Sequence, residues 1–219
     1  MSKRTWALLA ATIVSIIYGV TFTIAKDVMP KYIEPFGFIL MRVGGSMLLF
    51  WLITPFFSTE KIEKQDFPRI IAAAFFGVAL NMLTFFKGLS YTSPIMGAVL
   101  MVTTPMIVLV LSAILMKERM QNRKIYGLIL GLIGTIFLIL YGKSVINASN
   151  ATLGNILVFI NAVSYGFYLI IVKKLMDKYN AFAFVKWIYT FGFLMVLPFG
   201  WHEFQAIEWS IVPTTIFLK

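Results

Sequence analysis

Seven long apolar stretches constrain this chain more than any other feature: 6–25, 36–57, 69–89, 93–116, 125–141, 153–172 and 182–200, with an eighth opening near Val212. About 20 apolar residues coiled as a helix cross the roughly 30 Å hydrocarbon core of a bilayer. Lipid offers no hydrogen bonds to a backbone, so each stretch must satisfy its own amides and carbonyls, which a helix does. With 60% hydrophobic and 13% charged residues, the chain has too little polar surface for a soluble domain of this length. The expected class is therefore an all-α integral membrane protein. A cleaved leader is the alternative for the first stretch, but that stretch is long, lacks a small-residue cleavage site and precedes further spans.

The formal net charge of +10 would suggest nucleic acid in a soluble protein. Here it lies in short loops, where it reports orientation, and no nucleic-acid partner is assigned. Thirteen Lys and Arg fall in one set of alternating loops and ends, from Lys3 and Arg4 to Lys178 and Lys186. Three fall in the other, Lys26, Lys31 and Lys143. The positive-inside rule places the N-terminus in the cytoplasm of a multi-pass plasma (inner) membrane protein. There are no cysteines, so thiolate metal sites and disulfides are excluded. The single histidine, His202, sits in a loop without an acidic partner motif, so neither a metal, a cofactor nor an intramembrane enzyme is expected.

The chain repeats itself at a spacing of 147 residues. Tyr18-Gly19 matches Tyr165-Gly166, Lys26 matches Lys173, Met29 matches Met176, Lys31-Tyr32 matches Lys178-Tyr179, and Gly45 matches Gly192. The first unit, 1–146, holds five stretches. An odd number inverts the second unit, 147–219, in the membrane. Inverted repeats mark many secondary carriers, which bind substrate near the midplane between the repeats. In this register Lys219 matches Ala72, so the expectation is a 5+5 fold truncated after about seven transmembrane helices.

Several motifs resemble a known family. Tyr18-Gly-Val-Thr-Phe-Thr-Ile-Ala-Lys26, Met41-Arg42-Val-Gly-Gly-Ser46, Gly88-Leu-Ser-Tyr-Thr-Ser-Pro94, Thr104-Pro105 and Lys117-Glu118-Arg119 are similar to signatures of EamA-type proteins of the drug/metabolite transporter superfamily. The resemblance implies a ten-helix inverted-repeat carrier of small metabolites, such as amino acids or related compounds, often working outward. Small multidrug-resistance carriers in the same superfamily couple protons through a membrane-embedded glutamate. No acid lies deep in a stretch here, which favours facilitated or exchange transport.

Charges within a span are costly and are functional candidates by default. Arg42 lies about 9 Å below the outer end of its stretch, at 1.5 Å per residue, and Lys87 lies within a turn of the end of its own. Together they suggest an outer vestibule that attracts carboxylates or other anions. The alternatives are snorkelling for Lys87 and a tie to backbone carbonyls for Arg42. Gly77, Asn81, Thr84 and Gly88 share one helical face; so do Asn161, Tyr165 and Tyr168, and Tyr18 lies beside a polar face of the first stretch. These residues suggest a substrate cavity, with interhelical packing as the alternative. Thr103 and Thr104 precede Pro105, which lacks an N–H and should kink the fourth span as a hinge. Gly127, Gly131 and Gly134 permit close helix approach, within the chain or in a homodimer. A membrane scaffold without transport is the competing function.

Overall fold

The computed structural model describes residues 3–57, 60–115, 122–141, 150–210 and 212. Among them every regular element is helical. Helix α1 (Lys3–Val28) leads through a short link to α2 (Pro35–Phe57). A 3-10 turn (Lys64–Asp66), α3 (Phe67–Ala74), a π-helical turn (Phe75–Ala79) and α4 (Leu80–Tyr91) then run on as one rod. After it come α5 (Pro94–Met101), α6 (Thr104–Leu115), α7 (Asn122–Tyr141), α8 (Ala151–Met176) and α9 (Ala181–Gln205). Five helical rods are long and apolar enough to cross a membrane: Pro35–Phe57, Lys64–Tyr91, Ile95–Leu115, Ala151–Met176 and Ala181–Gln205. Shorter apolar stretches, Leu8–Thr21 and Ile125–Phe137, lie within α1 and α7. The eighth stretch beyond Val212 and the Lys117-Glu118-Arg119 cluster fall outside the described residues.

The surface is that of a membrane protein. Phe56 is 85% exposed, Leu130 73% and Leu52 70%. Apolar side chains laid bare on this scale would aggregate in water, whereas lipid solvates them. Lipid also removes the hydrophobic drive between helices, so close packing and polar contacts must hold the bundle together.

That packing is antiparallel in both principal helix pairs. Along α2 and α9, Phe36 stacks edge-on to Phe199, Trp51 to Trp187, and Phe57 lies flat on Phe182. Glycine brings the two backbones together at one end: a Cβ on Gly200 would lie 2.6 Å from the Phe36 carbonyl oxygen. Glu203 closes the same end, its Oε2 accepting from the free amides of Phe36 and Gly37 at 2.6 and 2.9 Å. These amides begin α2 and have no intrahelical acceptor. Along α4 and α8, a Cβ on Gly88 would meet the Gly154 carbonyl oxygen at 2.9 Å, and one on Gly154 would meet that of Gly88 at 2.9 Å. Thr92 donates to Asn155 Oδ1 at 2.8 Å beside this contact.

At the opposite end of the α2–α9 pair, the link before α3 is bound to the link between α8 and α9. Asp66 accepts from Lys178 Nζ and from the Tyr179 hydroxyl, each at 2.7 Å, and pairs with Arg69 at 3.2 Å. Lys178 also pairs with Glu63 at 2.8 Å, and Glu60 accepts from the Asn180 amide at 2.7 Å.

The fourth apolar stretch is broken into two helices. Val102 and Thr103 donate to Val99 and Leu100, each at 3.1 Å, a tighter i→i−3 pattern that ends α5. Pro105 is the second residue of α6, where its missing N–H costs nothing. The Ser93 hydroxyl caps α5 by accepting from the Met96 amide at 3.1 Å, with Pro94 in the first turn.

Candidate functional site

A cavity of about 960 Å³ lies within the bundle, walled by α1, α2, the rod from the π-turn into α4, the α5–α6 break, α8 and α9. Its position follows from the local irregularities of two spans. The π-turn inserts an extra residue into the α3–α4 rod at Phe75–Ala79, and such turns disturb the regular carbonyl ladder. Ser164 on α8 donates to the Phe76 carbonyl at 2.6 Å and so satisfies one of the displaced acceptors. Gly77 within the turn leaves room for Tyr168, since a Cβ there would overlap that ring. The α5–α6 break places Thr104 and Pro105 on the same cavity wall.

Of the residues singled out in the sequence, Arg42, Asn81, Thr104, Pro105 and Tyr165 line this cavity. Thr84, Lys87, Thr103 and Asn161 do not form its wall. Thr84 turns its hydroxyl back to the Leu80 carbonyl at 2.7 Å. Lys87 lies over the rings of Phe36 and Tyr91 at 5.4 and 5.2 Å. Thr103 donates to Leu100 at 2.7 Å and lines a second, smaller cavity of about 290 Å³ with Gly131, Gly134 and Thr135. Asn161 is buried behind the wall, bonded to Asn81. Tyr18 lies on α1, with its side chain outside the described residues.

Arg42 is the one charged side chain on the wall among the described residues. Its guanidinium lies over the Phe86 ring, 5.7 Å from the centroid, and none of the described residues forms an ion pair or hydrogen bond with it. The sequence offered backbone carbonyls as the alternative to an anion-attracting role, and the structure places an aromatic ring beside it instead. Arg42 is exposed on this wall, and a charged group within a span is a functional candidate by default. The Thr104 Oγ1 is buried without a hydrogen-bond partner among the described residues. Tyr165 and Tyr168 stack at 5.7 Å with their planes 28° apart, forming an aromatic shelf on α8. Tyr189, stacked on Phe50 at 5.2 Å, adds a third tyrosine from α9. Sequence reasoning passed over Tyr189, although the 147-residue spacing sets it at the position matching Arg42.

The polar chemistry outside the spans is structural in character. The Asp66 carboxylate, and after it Glu63, holds the Lys178 ammonium well above the ordinary lysine range. Lys178, followed by Gln65, in turn holds the Glu63 carboxyl below its usual value. Among the described residues, no three His, Cys, Asp or Glu side chains converge as a metal site.

Comparison with known proteins agrees with this architecture. The model of the EamA-like transporter family matches residues 5–140. An uncharacterized transporter of Bacillus subtilis, YetK, is 28% identical over 180 residues, covering 82% of this chain and 53% of its own length. An uncharacterized transporter of Archaeoglobus fulgidus is 26% identical over 221 residues, covering 98% of this chain and 75% of its own. A third, YoaV of B. subtilis, is 28% identical over 206 residues, covering 90% and 68%. The chain thus spans about half the length of one relative and about two-thirds to three-quarters of the others. No solved structure matches it. With the family model covering more than half of its residues, the chain belongs to the EamA-like transporter family.

Proposed function

We propose that this chain is the substrate-binding part of a carrier that moves small metabolites, such as amino acids or related compounds, outward across the plasma membrane by alternating access. The observation that carries this reading is the cavity of about 960 Å³ with a cation on its wall that has no ion-pair or hydrogen-bond partner among the described residues. A scaffold needs no guanidinium on a cavity wall, whereas a carrier gains a binding group.

The inverted-repeat reading, with units 1–146 and 147–219 and about seven spans in this chain, has support of its own. Helix α8 ends 148 residues after α1 ends, and α9 begins 146 residues after α2 begins. Helix α2 packs antiparallel on α9, its own counterpart in the repeat, as a two-fold axis in the membrane plane would require. Loop charge favours a cytoplasmic N-terminus. On that orientation the Asp66–Lys178 cluster lies at the inner face and the Glu203 contact at the outer face, so each end has a polar fastening that rocking would break in turn.

The test is solute-dependent flux through the 219-residue chain reconstituted in liposomes. Counterflow of a labelled metabolite above the empty-liposome background supports the carrier. Absence of both flux and binding across acidic, neutral and zwitterionic solutes would favour a scaffold.

A further inference from the structure

The wall of the main cavity has an unbalanced chemistry, and this imbalance selects among solutes. Arg42 contributes one positive charge, and no carboxylate on the wall among the described residues opposes it. The planar guanidinium presents up to five donors in a fork that matches a carboxylate in two parallel bonds. In this structure the guanidinium lies 5.7 Å from the Phe86 ring centroid, and no hydrogen bond to its donors is formed among the described residues. A zwitterionic solute would bring an ammonium group that meets no acid on this wall and loses its water. A solute bearing only the carboxylate avoids that cost.

The rest of the wall describes the body of the solute. Tyr165 and Tyr168 stack as a shelf, and Tyr189 is fixed against Phe50. Such rings offer flat apolar faces with a hydroxyl at the rim. Thr104, 8% exposed and also on the wall, has a hydroxyl with no hydrogen-bond partner among the described residues. A buried hydroxyl without a partner is costly, and a polar substituent on the ring or at the end of the solute would relieve it. We propose that the cavity takes aromatic monocarboxylates, with the carboxylate on Arg42, the ring against Tyr165 and Tyr168, and a hydroxyl-type substituent reaching Thr104. This proposal rests on the carrier reading and narrows it away from zwitterionic amino acids.

The experiment is calorimetric binding to the purified 219-residue chain in lipid nanodiscs, using phenylacetate, phenylacetamide, phenylalanine and 4-hydroxyphenylacetate as probes. Phenylacetate should bind roughly tenfold more tightly than its neutral amide, as a charge-assisted pair requires, and more tightly than phenylalanine. The hydroxylated acid should bind more tightly still, an advantage that Thr104→Val removes. Arg42→Gln should erase the preference for acid over amide, and Arg42→Lys should keep part of it. Equal binding of acid and amide by the unaltered chain overturns the proposal without recourse to any variant, so misfolding of Arg42→Gln cannot obscure the result. Equal binding of phenylalanine and phenylacetate also overturns it. Binding or flux of neutral and zwitterionic solutes alone would defeat the proposal and leave the carrier standing, whereas no binding and no flux of any solute would defeat both.

Discussion

Asn81 and Asn161 exchange hydrogen bonds: each side-chain amide donates to the backbone carbonyl of the other, at 3.3 and 2.9 Å. The pair fastens α4 to α8 in the middle of the bundle, where no lipid group could replace it. Asn81 has a second role, because it also lines the cavity. Asn161 is 2% exposed and does not form the wall. Substituting Asn161→Leu should therefore lower thermal stability by about 1 kcal/mol and leave solute selectivity unchanged. Asn81→Leu should lower stability by a similar amount and weaken solute binding as well. Thermal unfolding in detergent, paired with binding isotherms, separates the two variants.

The glycine in the π-turn should control the aromatic shelf. A methyl group at Gly77 would overlap the Tyr168 ring, so Gly77→Ala must displace that ring or the turn. Overpacking of this kind costs about 1–3 kcal/mol. Ring-bearing solutes should lose more affinity than small aliphatic ones, which a binding panel on the variant would reveal.

Glycines at helix contacts and glycines facing open space should respond in opposite ways. Gly154→Ala places a methyl 2.9 Å from the Gly88 carbonyl oxygen, and backbone cannot swing aside as a flexible side chain can. A loss of about 1–3 kcal/mol is expected. A methyl group added at Gly19 would meet none of the described residues within 4 Å, so Gly19→Ala should be neutral or gain up to about 1 kcal/mol from helix propensity. Parallel melting curves of the two variants check the contrast.

The spans were legible in the sequence because lipid enforces long apolar runs, and the ends of α2, α8 and α9 fall close to the runs that announce them. The breaks within spans were less legible. Pro105 signalled an interruption, but a proline kink and a division into α5 and α6 look alike in composition. Nothing in Phe75–Ala79 announces a π-turn, since it depends on the Ser164 hydroxyl arriving from α8 to satisfy the Phe76 carbonyl. Among the cavity residues, helical spacing singled out Asn81 and Tyr165 and missed Tyr189. A tyrosine among the aromatic residues of α9 carries no local signal, and only its spacing of 147 residues from Arg42 sets it apart. Spacing also grouped Thr84 and Gly88 with Asn81, whereas the structure spends them on a backbone carbonyl and on the α4–α8 contact.

The ionic cluster at the end of the α2–α9 pair carries a pH signature. Glu63 is held below its usual range by Lys178, so its contribution is present above the ordinary carboxylate range and fades as pH falls through its lowered value. Lys178 is held above its usual range by Asp66 and Glu63, so its contribution is complete at neutral pH and is lost only in strong alkali. The thermal midpoint of the native chain should therefore hold through neutral pH and decline on acidification below about pH 4.5. Lys178→Met should flatten that acid limb, and midpoints recorded across the pH series would show whether it does.

Solute access to the cavity between α2, α8 and their neighbours is what the carrier reading depends on most. The chain has no cysteine, so single cysteines can report on it without further engineering. Tyr165→Cys should react in liposomes with a charged, water-soluble thiol reagent, and a bound solute should slow that reaction, while Leu52→Cys on the lipid-facing surface stays unlabelled. A Tyr165→Cys chain that is folded yet unreactive, or that reacts at one rate whatever solute is present, would contradict it.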